Sequence, residues 1–269
     1  MKTVIILTQP RSGSSLLAGI LYHLGVYMGE EKELLRGKYK NKLGSFEDHR
    51  FLALNHNILF KAERLMCYHN RFSDEDGKVE AAVKEYEEKL KEYVKENERE
   101  FWGFKEAVVI YTIPYFEHLL KDPHYIVLHR EAESIANSQI RAGKLKNWRH
   151  EIRSEFSYFT PKLRFQLFLR TMKTTFTKGF VYRKRDYIIK LTLDAQERIK
   201  RFVEKRKHMT IELPEIIEKP EESINQIIKF LGLKPTEEQI NNAIEFVRPE
   251  LITSEIKKKR PAKKNNYRF

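Results

Sequence analysis

The spacing of apolar residues divides the chain into short elements that alternate in kind. Val4 to Thr8 is an unbroken aliphatic and β-branched run, the pattern of a buried strand. Gln9-Pro10-Arg11-Ser12-Gly13 interrupts it with turn-forming residues. Leu16, Leu17, Ile20, Leu21 and Leu24 then recur at helical spacing, and Gly25 ends that helix. A polar, lysine-rich connection covers 30–43, and Phe51, Leu52, Leu54, Ile58 and Leu59 predict a second helix after it. Residues 79–97 read as one amphipathic helix. Its stripe of Val79, Ala82, Val83, Tyr86, Leu90, Tyr93 and Val94 is expected to pack on the sheet, with Glu/Lys pairs facing outward. Phe101–Lys105 predicts a strand end, 113–120 a helix stopped by Asp122-Pro123, His124–His129 a strand, and 131–142 a helix. Residues 151–207 are aromatic and basic with helical periodicity, Met209–Leu213 suits a last strand, and 221–231 and 237–246 suit two further helices.

Strands alternating with helices imply an α/β fold of three layers, a central parallel sheet covered on both faces. No internal repeat or long flexible linker interrupts the pattern, so 1–269 is expected to form a single domain. Within it, 144–208 stands out as a helical insertion and 257–269 as a basic tail.

Composition narrows the class. Hydrophobic residues make up 41% of the 269 residues, enough for a large core, and charged residues 33%, so the surface is heavily charged. No apolar run approaches the roughly 20 residues of a membrane span, and the opening run is too short for a secretory leader. A soluble, cytoplasmic protein is expected. The one cysteine, Cys67, can make neither an internal disulfide nor a Cys-rich zinc site. The sequence offers no His-x-x-x-His or clustered-carboxylate pattern, so no metal is expected.

The net charge of +13 is unevenly placed: 144–210 carry 19 Lys/Arg against 6 Asp/Glu, and 251–269 carry 7 against one Glu. A basic surface of this kind attracts an anionic ligand. Nucleic acid is one such ligand, and the chemistry of the first loop argues for a smaller one.

Gln9-Pro10-Arg11-Ser12-Gly13-Ser14-Ser15-Leu16 runs from a strand through a Gly turn into a helix N-terminus. Free backbone N–H groups and the helix dipole make that junction an anion site. Ser14 and Ser15 add hydroxyl donors and Arg11 a full positive charge. The stretch is no Walker A loop: Ser14 stands where that pattern has lysine, and no glycine lies four residues before Gly13. Arg130 falls at a strand end, where open α/β sheets bind ligands, and Ser138 follows about two helical turns later.

Together these stretches resemble the sulfotransferases that use 3′-phosphoadenosine 5′-phosphosulfate (PAPS). That family pairs a Pro-Arg/Lys-Ser-Gly-Thr/Ser-Thr/Ser strand–loop–helix with a later strand-end Arg and a Ser eight residues beyond it. Here those are Pro10 to Ser15, and Arg130 with Ser138. Leu43-Gly44-Ser45-Phe46-Glu47 resembles a Gly-Tyr-Phe-Glu element of bacterial relatives, and Trp102-Gly103-Phe104-Lys105 their Trp-Gly-x-Lys-Asp-Pro. Glu212–Leu233, ending Phe230-Leu231-Gly232-Leu233, resembles the family's closing piece. The resemblance spans about 3–143 and 209–256. Departures are Ser45 for the tyrosine, Glu106-Ala107-Val108 where Asp-Pro is usual, and Leu213-Pro214 where Tyr-Glu-Asp is common.

The resemblance implies a fold of phosphate-loop NTPase-like topology and a transferase moving a sulfonyl group from PAPS to a hydroxyl or amine. It implies that Arg11, Ser12, Gly13, Ser14, Ser15 and Leu16 hold the 5′-phosphate, and that Arg130 and Ser138 hold the 3′-phosphate. Arg11 and Lys105 are the cations expected to offset charge on the leaving phosphate. Glu47 is expected to be the general base, with His49 as the alternative. The expected partner is a small-molecule or glycan acceptor, and the aromatic and basic residues of 144–208 (Trp148, Phe156, Tyr158, Phe159, Phe165, Phe168) are expected to cover it. A nucleotide kinase or another phosphate-loop nucleotide-binding protein is the alternative.

Overall fold

The computed structural model describes residues 1–34, 44–63, 77–141 and 185–247, together with the helical positions 165, 166, 168, 169 and 172. Expectations at Cys67, Trp148, Phe156, Tyr158 and Phe159, for most of the insertion, and for the basic tail, lie outside the described residues.

Strand β1 (Lys2–Leu7) leads into helix α1 (Ser14–His23), which ends where Gly25 takes φ 90°. Helix α2 (His49–Lys61) follows, then α3 (Lys78–Glu85), α4 (Glu87–Asn97) and strand β2 (Phe101–Lys105). Short helical turns at Val109–Tyr111 and Glu117–Leu119 flank α5 (Ile113–Phe116). Strand β3 (Pro123–His129) and helix α6 (Ala132–Arg141) come next. Beyond them lie α7 (Arg185–Val203), β4 (His208–Glu212), α8 (Leu213–Glu218), α9 (Pro220–Leu231) and α10 (Glu237–Phe246).

Two expectations are corrected in detail. The single helix over 79–97 is two helices, because the backbone at Tyr86 (φ −97°, ψ 7°) tightens and its N–H is shared between the Ala82 and Val83 carbonyls. The stripe still reaches the core: Val79, Ala82, Val83, Leu90, Tyr93 and Val94 are buried with Trp102 and Phe104. The helix expected over 113–120 is one α turn continued by a 3₁₀ turn, and Pro123 opens β3. Helix α8 has no counterpart among the expected elements. A reciprocal capping box between Glu212 and Glu215, with Pro214 in the first turn, starts it directly at the end of β4.

The strands pair in parallel in the order β2-β1-β3-β4. Side chains alternate across them, so each strand supplies both layers. Ile5, Leu7, Trp102, Phe104 and Tyr125 face one layer, where α2 through α5 and the end of α7 (Ile199, Phe202, Val203) cover them. Val4, Ile6, Ile126, Leu128 and Ile211 face the other, under α1 (Leu17, Leu21), α9 (Ile224, Ile227) and α10 (Ala243). This is the three-layer α/β architecture expected of the chain. Its topology has one functional consequence. The chain leaves β1 for β2 on one side and returns to β3 on the other, so a crevice opens at the C-terminal ends of β1 and β3.

Candidate functional site

The crevice is built from the loop after β1. Gly13, the residue before α1, takes φ 97° and offers no side-chain cap, so the first N–H groups of α1 have no side chain closing them off. Arg11 also takes a positive φ, 71°, unusual for a residue with a side chain. The turn is held from within. Ser12 is fully buried; its hydroxyl donates to the Gln9 carbonyl at 2.6 Å and meets the Thr8 hydroxyl, and Thr8 Oγ1 donates to the Leu128 carbonyl at 3.0 Å. The loop is thereby pinned to the end of β3.

Arg130, one residue beyond β3, is only 4% exposed. Its Nη1 donates to the Arg11 carbonyl at 2.7 Å, so a buried cation supports the unusual backbone at Arg11. The Gln196 amide of α7 donates to the Arg130 carbonyl at 2.8 Å. From α6, Ser138 Oγ accepts from Arg11 Nε at 3.4 Å, and Gln139 Nε2 donates to the Pro10 carbonyl at 3.4 Å. The two stretches that the sequence places 120 residues apart thus touch, Arg130 and Ser138 both against Arg11.

Lys105 ends β2 on the other side of β1, and it too is 4% exposed. Its ammonium pairs with Glu47 Oε1 at 3.0 Å, donates to the Ser45 carbonyl at 3.0 Å, and approaches Ser15 Oγ at 3.4 Å. Burying a lysine is costly unless it is paired and hydrogen-bonded, and these three oxygens meet that need. Glu47 keeps part of its surface open to the crevice, with its side chain 20% exposed. Glu47 stands just before α2, whose N-cap Asp48 accepts from the Arg50 N–H at 2.8 Å and from the Arg50 guanidinium.

Three expected site residues take other places. The Ser12 hydroxyl turns inward and serves the loop itself. The Leu16 side chain packs in the core below α1, and its N–H donates to the Gly13 carbonyl at 2.9 Å. His49 points its Nδ1 to Glu33, 2.9 Å from the carbonyl and 3.0 Å from the carboxylate. The remaining candidates fall into two contact groups at the C-terminal end of the sheet: Arg11 with Ser138 and Arg130, and Lys105 with Glu47 and Ser15; Gly13 and Ser14 lie between them at the start of α1.

Thr8, Gln139 and Gln196 support that crevice and went unread in the sequence. Thr8 ends an apolar run that reads as plain strand, and nothing in the spacing of the two glutamines marks them, although Gln139 is buried in α6. Another group nearby is Glu106, 3% exposed, with Asn55 and His56 of α2. Phe165 and Phe168, expected over the acceptor, are exposed. Among the described residues, no group of three or more His, Cys, Asp or Glu is placed to hold a metal, and no helix is long and apolar enough to cross a membrane.

The arrangement can hold anions: the N-terminus of α1, the hydroxyls of Ser14 and Ser15 and the cations Arg11 and Lys105 come together there, with Arg130 and Ser138 against Arg11. Several solved structures are similar to this chain over most of its length. One is a sulfotransferase domain from the curacin biosynthetic pathway, at 18% identity over 89% of this chain and 76% of that one, with a TM-score of 0.47. A second is the sulfotransferase domain of the Synechococcus PCC 7002 olefin synthase, at 19% identity over 94% and 82%, with a TM-score of 0.48. A third is a sulfotransferase from Alicyclobacillus acidocaldarius, at 13% identity over 93% and 96%, with a TM-score of 0.46. All three are sulfotransferases. No protein-family model matches the chain, and no curated protein matches it.

Proposed function

We propose that this chain transfers a sulfonyl group from PAPS to a hydroxyl or amine acceptor. The observation that carries the reading is the buried Lys105, paired with Glu47 and in reach of Ser15, one strand away from the Arg11–Ser138–Arg130 group. A phosphate loop alone would suit many nucleotides. The second anion subsite at Arg130 and Ser138 favours a donor with a separate 3′-phosphate over ATP.

When bound, PAPS supplies the activated S–O bond, which breaks toward the 5′-phosphate as the acceptor atom bonds to sulfur. The residues of the chain bind, orient and offset charge. Ser14, Ser15, Arg11 and the first turn of α1 would hold its 5′-phosphate, and Arg130 with Ser138 its 3′-phosphate. Lys105 would offset the negative charge that grows on the departing phosphate. A preorganised donor of this kind is typically worth about 3–4 kcal/mol in the transition state. Glu47 takes the acceptor's proton at its carboxylate. Lys105 and Glu47 are ion-paired here, so a phosphate drawing on the ammonium would release the carboxylate for that task. His49 is engaged by Glu33 and is the weaker candidate for base. The acceptor is taken to be a small molecule or a glycan.

Calorimetric titration with the product nucleotide, 3′-phosphoadenosine 5′-phosphate (PAP), against ATP with Mg²⁺ tests the donor site. PAP is expected to bind at micromolar concentration or below and to be preferred over ATP. Arg130→Ala should weaken PAP by about 10- to 100-fold, the worth of a lost charge-assisted hydrogen bond. Glu47→Ala should leave PAP binding intact and lower turnover of labelled PAPS by about 10²- to 10⁴-fold, the usual contribution of a general base. Preference for ATP would instead point to a phosphate-loop kinase.

A further inference from the structure

Glu106 follows Lys105 directly, and its side chain is buried on the α2 side of the sheet. A carboxylate in such a place must be met by donors. Three meet it. The Val108 N–H donates to Oε2 at 3.0 Å, Asn55 Nδ2 donates to Oε2 at 2.6 Å, and His56 Nε2 lies 3.5 Å from Oε1. The Asn55 amide is itself oriented, because Thr112 Oγ1 donates to its Oδ1 and so turns the NH₂ group toward Glu106.

Only the first of these contacts is local. Asn55 and His56 lie in the middle of α2, about two turns below the N-terminus that carries Glu47. Two struts therefore join the same pair of elements. One runs from Lys105 to Glu47, and the other from Glu106 to Asn55 and His56.

We propose that Glu106 is a positioning residue: by holding the middle of α2 to the end of β2, it fixes the separation at which Lys105 meets Glu47. The role rests on the reading of Lys105 and Glu47 as the transfer pair. It assigns a use to the extra methylene that distinguishes Glu106 from the aspartate usual at that point of the resembled pattern. An aspartate could still accept from the N–H two residues on. The longer side chain reaches across to α2. A displacement of about 1 Å between reacting groups can cost on the order of 100-fold in rate, so a strut of this kind has a kinetic consequence.

The test compares Glu106→Asp, which keeps the charge and the local contact but shortens the reach, with Asn55→Ala, which keeps Glu106 and removes its partner. Acylation of lysines by an amine-reactive ester is followed residue by residue by mass spectrometry, with Lys61 and Lys121 as exposed controls. In both variants Lys105 should label about tenfold faster than in the wild type, as local opening exposes it, while the controls and PAP affinity stay unchanged. Turnover of labelled PAPS should fall with no change in its KM. Unchanged Lys105 labelling in both variants overturns the proposal. Loss of PAP affinity in step with faster labelling of Lys2, half-buried at the opposite end of the sheet, also overturns it, since that pattern belongs to a general structural role. If the wild type fails to bind PAP, the transfer reading fails, and Lys105 labelling still decides whether the strut exists.

Discussion

At Gly13 the backbone lies at φ 97°, and a Cβ there would stand 2.5 Å from Leu213 Cδ1. The close approach follows from how the turn meets the end of β4: Leu213, first residue of α8, shares the apolar layer of α1 and closes over the loop. The leucine end could shift, so the larger penalty is the backbone conformation itself. Gly13→Ala is expected to destabilise the fold by about 1–2 kcal/mol, read as a lower denaturant midpoint at constant slope. It should also abolish PAP binding, because any relaxation toward negative φ re-aims the N–H groups of α1. A variant with wild-type stability and affinity would show that the turn tolerates a side chain. Arg11 carries the same kind of strain without the glycine. Its carbonyl is held by the buried Arg130.

Among the elements, the end of α7 is fastened by charge as well as by packing. Arg206 Nε donates to both oxygens of Glu117 at 2.7 and 2.9 Å, and the Tyr125 hydroxyl donates to Glu117 Oε1 at 2.6 Å. Three elements meet at this carboxylate, and Phe202 of α7 stands edge-on to the Tyr125 ring of β3. Burial alone would raise the Glu117 pKa, but the hydrogen bonds from Arg206 and Tyr125 outweigh it and hold the group below its ordinary 4.5. A carboxylate depressed in the folded state stabilises above its unfolded pKa, and that contribution is lost as the pH falls through the folded value. Glu117→Gln should therefore melt below the wild type at neutral pH, with the gap closing as the pH is lowered from 4.5. A gap independent of pH down to acid unfolding would mean that the charge contributes nothing. This junction escaped sequence reading for a plain reason. Arg206 lies 89 residues from Glu117, and each of the three is an ordinary residue in its own window. The strands were legible because β1 and β3 are buried on both faces and read as apolar runs, and α1 and α9 because one face of each is apolar. The break at Tyr86 was not legible, since a tightened turn leaves the helical period almost unchanged. The crevice was legible only in part. Arg11, Arg130 and Ser138 carried motif spacing, whereas Glu106 needed α2 to be placed before its partners could be seen.

For the molecule as a whole, the crevice draws on both layers. Helix α1 lies in one, α2 and α7 in the other, and the strands that carry Lys105 and Arg130 lie on opposite sides of β1. A ligand that binds only the folded state stabilises it by mass action, by about 2.7 kcal/mol at 100 times its dissociation constant. For a chain of this size that corresponds to a rise in Tm of roughly 5 °C. If the chain is one cooperative domain, PAP should move a single calorimetric transition upward by about that amount, and the shift should shrink to roughly 1–3 °C in Arg130→Ala, as a 10- to 100-fold loss of affinity requires. Two transitions, of which PAP moves only one, would divide the chain into separate units and place the nucleotide on one of them. The charge adds a further reading of the same experiment. The excess of Lys/Arg in 144–210 gives a field that favours an approaching anion, and this field is screened beyond about 8 Å at physiological salt. Raising the salt should then slow PAP association more than it speeds dissociation, because the buried contacts at Lys105 and Arg130 are the ones that salt screens least.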